Sequence, residues 1–493
     1  MLLVFVLAMG LIATGCGKAD QTAQRDSVTI AIPNEPSTMD VQFADDGNMR
    51  LITENVSEGL LAMDGKTLKP VPALATEFTN TSPTTWNVKL RQGVKFHNGN
   101  SFNADDVLFN VKRVLDPNFK SDIVGFFKSI KEVKKINDNE VEFITEGPDP
   151  SFPTRLTLLK MLDKETIEAA PDKVKTELVG TGPYKLATWQ RGQNITIERY
   201  DGYWGAKPAV KTAKYRFIEE DATRAAALKA GEVDLATNML PEYVKDLPKV
   251  KTIEGLEFSL VRMNAIRGVM KDPKIRQAAS YAINYEAIAK SLYQGYATEA
   301  PGQVFKPGYA GYNPNLKAHP YDVEKAKQLL KEAGYKGEKI EFVGERGRWL
   351  KDGEQIETIA QMLRDAGFNV EVKMLSFQNW LRVLFDREKA PDMIFTFHSN
   401  DIYDADRTFS TYVHTKGPGS SYPNTLDQKI EQARTELDPA KRQKIYEEIG
   451  QTIYDDPAWI SIVNIKDIYG MKEYVEWEPR QDMRLTVFEM KLK

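Results

Sequence analysis

Cysteine and histidine are scarce in this 493-residue chain, which holds one Cys and four His. The single thiol, Cys16, forms no disulfide within the chain. Such scarcity removes most constellations built on Cys–His pairs or zinc, and the sequence has no GxSxG and no HExxH element. Carboxylate-only glycoside chemistry is the form of secreted hydrolase that this leaves open. Charge of one sign is not in excess either. With 66 Lys and Arg against 70 Asp and Glu, the formal net charge is -4, so no basic field argues for nucleic acid. The apolar run Leu2 to Ala13 carries no charge, but it is too short to span a bilayer as a helix. It fits the h-region of a secretory signal instead.

What is present is ordinary globular material, 42% hydrophobic and 28% charged, in a chain too long for one core. Two or three domains are expected. The aromatic residues serve either as core or as walls of a cleft.

The most informative stretch runs from Gly180 to Ala236. Gly182-Pro183 marks a turn, Tyr184 to Gln190 reads as a strand, and Arg191-Gly192-Gln193 reverses it. Ile195, Ile197 and Arg199-Tyr200 continue with period two, and Lys211 to Ile218 reads as a third strand. Asp221 stands where a helix N-cap belongs, Thr223 to Ala230 favours helix, and Gly231 supplies the stop. These residues (GTGPY, then YWG followed by KP, then the Ala-rich run into Ala230-Gly231-Glu232-Val233-Asp234) resemble the family 5 extracellular solute-binding proteins. Those are the peptide-, opine- and nickel-type receptors of ABC importers. Arg91 to Gly99 and Lys274-Ile275-Arg276-Gln277-Ala278 resemble two further signatures of that family.

The resemblance implies an α/β, two-lobed periplasmic-binding-protein-like fold with an extra inserted domain and a cleft between the lobes. Its division would be a signal peptide with lipobox over 1–16 and a linker over 17–27. Lobe I would comprise 28–60, 176–258 and 469–493, the inserted domain 61–175, and lobe II 259–468. Ala13-Thr14-Gly15-Cys16 resembles a bacterial lipoprotein cleavage box, in which small residues admit the peptidase and the Cys16 thiol takes the lipid. Two or more acyl chains would anchor the protein stably, on a tether from Lys18 to Ser27, at the outer side of the cytoplasmic membrane or in the periplasm.

Within the expected lobe II, Lys339 to Val343, Asn369 to Leu375 and Asp392 to Phe397 read as strands. Ile356 to Ala366 and Phe377 to Arg387 read as the helices between them. This β-α-β-α-β order predicts parallel strands, and ligands bind beyond the carboxyl ends of such strands. Two polar segments leave those ends, Glu345 to Trp349 and His398 to Asp406. Trp349 and Tyr403, on these exits, are candidate pocket walls. Asp272-Pro273 should open a helix reaching about Tyr293. Asp438 should cap one reaching Tyr454, ahead of a strand from Trp459 to Val463.

By resemblance, Asp401 pairs with a ligand ammonium group in the pattern Asp401-x-x-Asp404-Ala405-Asp406, where Ala405 replaces the family's usual Pro and Asp404 is a further ligand-binding candidate. Arg348 or Arg346 falls where dipeptide-type members pair with the ligand carboxylate; guanidinium–carboxylate bonds contribute about 1.5–3 kcal/mol each. The reading is a monomeric, non-catalytic receptor without cofactor. It would capture a short peptide or an opine-like conjugate and deliver it to a membrane permease. A nickel-chelate receptor of the same fold, using His398 and His414, is the alternative. His97, with no second His or Cys nearby in sequence, reads as a structural turn residue.

Overall fold

Tyr184–Gln190 pairs antiparallel with Asn194–Arg199, which in turn pairs with Thr212–Phe217. Gly192 turns the hairpin at φ 69, a left-handed conformation that costs glycine little. Thr212–Phe217 then lies parallel to Ser27–Ile32. The helix Asp221–Ala230 starts at the residue expected to cap it, so Glu220 holds the cap position, and it ends on Gly231 at φ 79. The computed structural model describes residues 25–44, 46–346 and 348–493. The expected signal segment with Cys16, and most of the linker, lie outside the described residues.

These strands form one half of an eleven-stranded sheet. In the other half, Lys339–Glu345 lies parallel to both Asn369–Leu375 and Met393–His398. The helices Asp352–Asp365 and Phe377–Leu384 connect them, in the predicted order. Two long antiparallel strands join the halves, Lys249–Met263 and Trp459–Met471. The second outruns its sequence-based bounds. Only Trp459 to Val463 reads as strand by pattern, because Asn464, Lys466 and Asp467 interrupt the apolar run beyond it. The pairing bulges between Glu254 and Phe258. Gly255 is needed there, since a Cβ would lie 2.8 Å from the Ile465 carbonyl oxygen.

The helix opened by Asp272 stops at Ala282, short of Tyr293. Asn284 leaves the helical region and caps a new turn by accepting the Ala287 N–H, and Ile288–Leu292 follows as a π-turn. Local hydrogen bonding by an Asn side chain breaks a run whose apolar spacing alone would continue it.

A separate four-stranded antiparallel sheet comprises Ala75–Ser82, Thr85–Leu90, Glu140–Thr145 and Ile130–Asn137. Its strands and the helix Ala104–Leu115 bury a core drawn from Leu60 to Met161, with Ile402 added from the distant loop. Asn103 and Asp106 form a reciprocal capping box on that helix, as Asn103 and the acidic first turn suggested. His97 is half-buried in the turn, with Nε2 2.9 Å from the Gly182 carbonyl and its ring edge-on to Tyr200.

Candidate functional site

The bulged crossing strands carry two carboxylates, Glu257 and Asp467, to the wall of a cavity of about 500 Å³. Four other regions complete it. The helix Gly47–Thr53 brings Asn48 and Arg50, and the loop after Leu235–Ala236 brings Thr237 and Asn238. The strand exits bring Arg348, Ser399, Asp401 and Tyr403, and the C-terminal segment brings Asp482 and Arg484. Four arginines, the fourth being Arg407, therefore face four carboxylates in one space.

Most of these charges already have partners. Arg50 Nη1 donates to Asp401 Oδ2 at 3.2 Å, and Arg407 stands 4.0 Å from the same oxygen. Burial acts to raise the Asp401 carboxyl, but Arg50, Arg407 and Arg484 outweigh it and hold it below the ordinary carboxylate range. Arg484 contacts Glu54, which also receives Lys160 at 2.8 Å. Against its burial, Arg484, Lys160 and Arg50 pull Glu54 down to about 2. Asp482 accepts two bonds from Arg480, at 2.9 and 2.7 Å.

Glu257 and Asp467 behave in the opposite way. Glu257 accepts one long bond, 3.3 Å from the Trp349 indole N–H, and Oδ2 of Asp467 is buried without a hydrogen-bond partner. Burial raises Glu257, Asp401 adds to the rise, and Trp349 and Arg348 oppose it. Burial and the neighbouring Glu257 push Asp467 up to about 7, with Lys306 opposing.

The structure distributes the sequence candidates unevenly. Asp401, Arg348 and Tyr403 line the cavity together. Tyr403 is fixed at φ 50, with its carbonyl accepting the Ala310 N–H and its ring edge-on to Tyr309. The Arg348 guanidinium lies over the Trp349 and Phe377 rings, 4.9 and 4.6 Å from their centroids. Trp349 is packed behind the wall, stacked on Phe397, and touches the site through Glu257 and the Arg348 guanidinium. Arg346 is exposed and lies against Gly353, away from the cavity.

Asp404 is displaced from the expected role, because the chain consumes its oxygens. It takes both Nη groups of Arg442 at 2.5 and 3.0 Å, the Tyr446 hydroxyl at 2.9 Å and the Ser151 hydroxyl at 3.2 Å. His398 and His414 do not meet as a metal pair. His398 is buried with Nε2 2.8 Å from the Thr408 hydroxyl, and burial pushes its ring down to about 3. His414 sits 3.1 Å from Glu431. Among the described residues, no group of three or more His, Cys, Asp or Glu has a metal-holding arrangement.

Sequence reasoning missed Glu257, Asp467, Arg407, Arg50 and the Asp482–Arg484 pair. The signal available in the sequence was an acid directly ahead of a largely apolar segment of strand, Glu257 before Phe258 to Val261 and Asp467 before Ile468 to Met471.

The model of the bacterial extracellular solute-binding proteins, family 5, matches residues 69–420. The glutathione-binding protein GsiB of Escherichia coli K12 is 28% identical over 477 residues, 92% of each chain. The substrate-binding protein CtaP of Listeria monocytogenes superposes with a TM-score of 0.85 at 23% identity, over 95% of this chain and 99% of that one. The periplasmic binding protein DppA of Helicobacter pylori, in complex with the peptide STSA, gives 0.76 at 25% identity, over 95% and 98%. No helix among the described residues is long and apolar enough to cross a membrane.

Proposed function

The chain belongs to the bacterial extracellular solute-binding proteins of family 5, which are transport receptors of ABC importers and not enzymes, and from that premise we propose that its solute is a short zwitterionic peptide, glutathione being the first to test. The observation that carries this reading is the cavity itself. It places four arginines and four carboxylates around a volume sized for a few residues. A peptide brings fixed charges of both signs. Glutathione, a tripeptide with two carboxylates and one ammonium group, offers charges of both signs to a wall that carries both. The relative GsiB is named for that ligand.

In this reading Arg348 and Arg407 take carboxylates, Tyr403 supplies an aromatic wall, and Asp401 keeps the arginines aimed. A second cavity of about 270 Å³ shares Asp482 and Arg484 with the first and gives side chains room to extend. The two long strands act as the hinge over which the lobes close. Cys16 carries the lipid that tethers the monomer near its permease. The nickel-chelate alternative gains nothing from His398 and His414, which face Thr408 and Glu431.

Calorimetry of the soluble form from Lys18 onward tests the reading, with glutathione, its disulfide and a di- to tetrapeptide panel. Micromolar or tighter binding of at least one peptide is expected. Absence of heat and of thermal stabilisation across the whole panel sinks the peptide assignment.

A further inference from the structure

We infer that Glu257 and Asp467 form the cation-accepting floor of the cavity and take the solute's free ammonium group; this rests on the reading of the cavity as a peptide site. Asp401 is the obvious competitor, being an acid on the same wall. Its carboxylate, however, already receives Arg50 at 3.2 Å and has Arg407 4.0 Å away. An ammonium group arriving there would have to share that carboxylate with two guanidinium groups.

The floor lacks what an ammonium group supplies. Three donors are on offer from such a group. Oδ2 of Asp467 is buried and unpartnered, Glu257 holds one 3.3 Å bond, and Asn464, itself 2% exposed, has an unpartnered Oδ1 beside the same bulge. Asn464 Nδ2 donates to the Gly255 and Glu257 carbonyls at 2.9 and 2.8 Å, which ties it to the strand segment that carries Glu257. The chain's own nearby cation does not fill the role. Lys306 Nζ turns two donors to the Glu254 and Gly255 carbonyls, at 2.5 and 3.1 Å, and Oδ2 of Asp467 receives no hydrogen bond. Two carboxylates left short of donors on a ligand-facing wall are costly to the empty protein, and a bound cation recovers that cost.

The electrostatics agree with the geometry. Besides burial, Glu257 and Lys306 act on Asp467, and Trp349, Arg348 and Asp401 act on Glu257. The raised Asp467 holds a proton just below neutral pH, so ammonium binding should displace it and strengthen from pH 5 to pH 7, a range in which the solute's α-ammonium group keeps its charge. Asp401, held low, stays ionised across that range.

The test uses the soluble chain, a defined pool of di- and tripeptides, and the same pool N-acetylated, with retained peptides counted by native mass spectrometry. Wild type should prefer free-amine peptides by roughly tenfold or more, the discrimination expected of a charge-assisted bond. Glu257→Gln with Asp467→Asn should bring that ratio to about one, while melting at or above the wild-type temperature, which shows that it folds. A double variant that keeps the preference overturns the inference and leaves the peptide reading standing. So does an Asp401→Asn variant that alone abolishes it. A wild-type protein that retains neither pool removes the peptide reading, and the ammonium floor with it.

Discussion

Asp404 and Asp467 are both inward-facing carboxylates, and they stand in opposite relations to their surroundings. Asp404 is 4% exposed and carries Arg442, Tyr446 and Ser151 on its two oxygens. Asp467 lines the cavity with a buried oxygen that nothing donates to. The first network joins three remote parts of the chain: the Ser151 turn, the loop after Met393–His398 and the helix Pro439–Asp455. It is complete without a solute. The second is incomplete without one. A buried charge that the chain satisfies holds the fold together; one that the chain leaves unsatisfied at a cavity wall points outward to a ligand.

The largest expected effect breaks the satisfied side. Asp404→Ala leaves Arg442 buried and unpaired, which should cost about 3–5 kcal/mol. Urea denaturation should show that loss equally with and without a bound peptide. A loss confined to the solute-bound state would place Asp404 in the site after all. Next comes Glu54, satisfied by Arg484 and Lys160 but close to the cavity. Its folded value, about 2, lies below its ordinary 4.5. Its contribution is therefore fully present above pH 4.5 and is lost as pH falls toward 2. That window corresponds to about 3 kcal/mol. Glu54→Gln should flatten the acid limb of the stability curve; an unchanged limb refutes the pairing.

The same contrast explains what was legible in the sequence. The hairpin after Gly182, the capping box at Asn103 and the alternation from Lys339 to His398 are local, set by turn residues and periodicity within a few positions. The break at Asn284 is also local, but it competes with apolar spacing that favours a continuous helix. The site is different in kind. Asp401, Arg348 and Tyr403 could be singled out because parallel strands deliver their exits to one edge. Glu257 and Asp467 come from two strands about two hundred residues apart, and only their pairing register brings them together. Asp401 and Asp404 are three residues apart yet face a cavity and a core respectively. Spacing alone offers no reason to separate them, because the difference lies in Arg442, which arrives from another helix.

The smallest effect is the sharpest test of the comparison. Asp467→Asn removes a charge that the empty protein struggles to hold, so it should stabilise instead of destabilising, by about 1–2 kcal/mol. The sign follows from the raised value. With an ordinary value of 3.8 and a folded value of about 7, the folded chain retains a proton that the unfolded chain has released. The acid therefore costs stability progressively as pH rises from about 4 to 7, and nothing below that window. Thermal melts of ligand-free protein should show the variant above wild type at pH 8 and level with it near pH 4. Asp404→Asn, measured alongside, should stay below wild type at both pH values, because its loss comes from broken partners. If Asp467→Asn also destabilises at pH 8, the chain does satisfy Asp467 through contacts of its own. The two acids would then be alike, and the cavity floor would have no call on an outside cation.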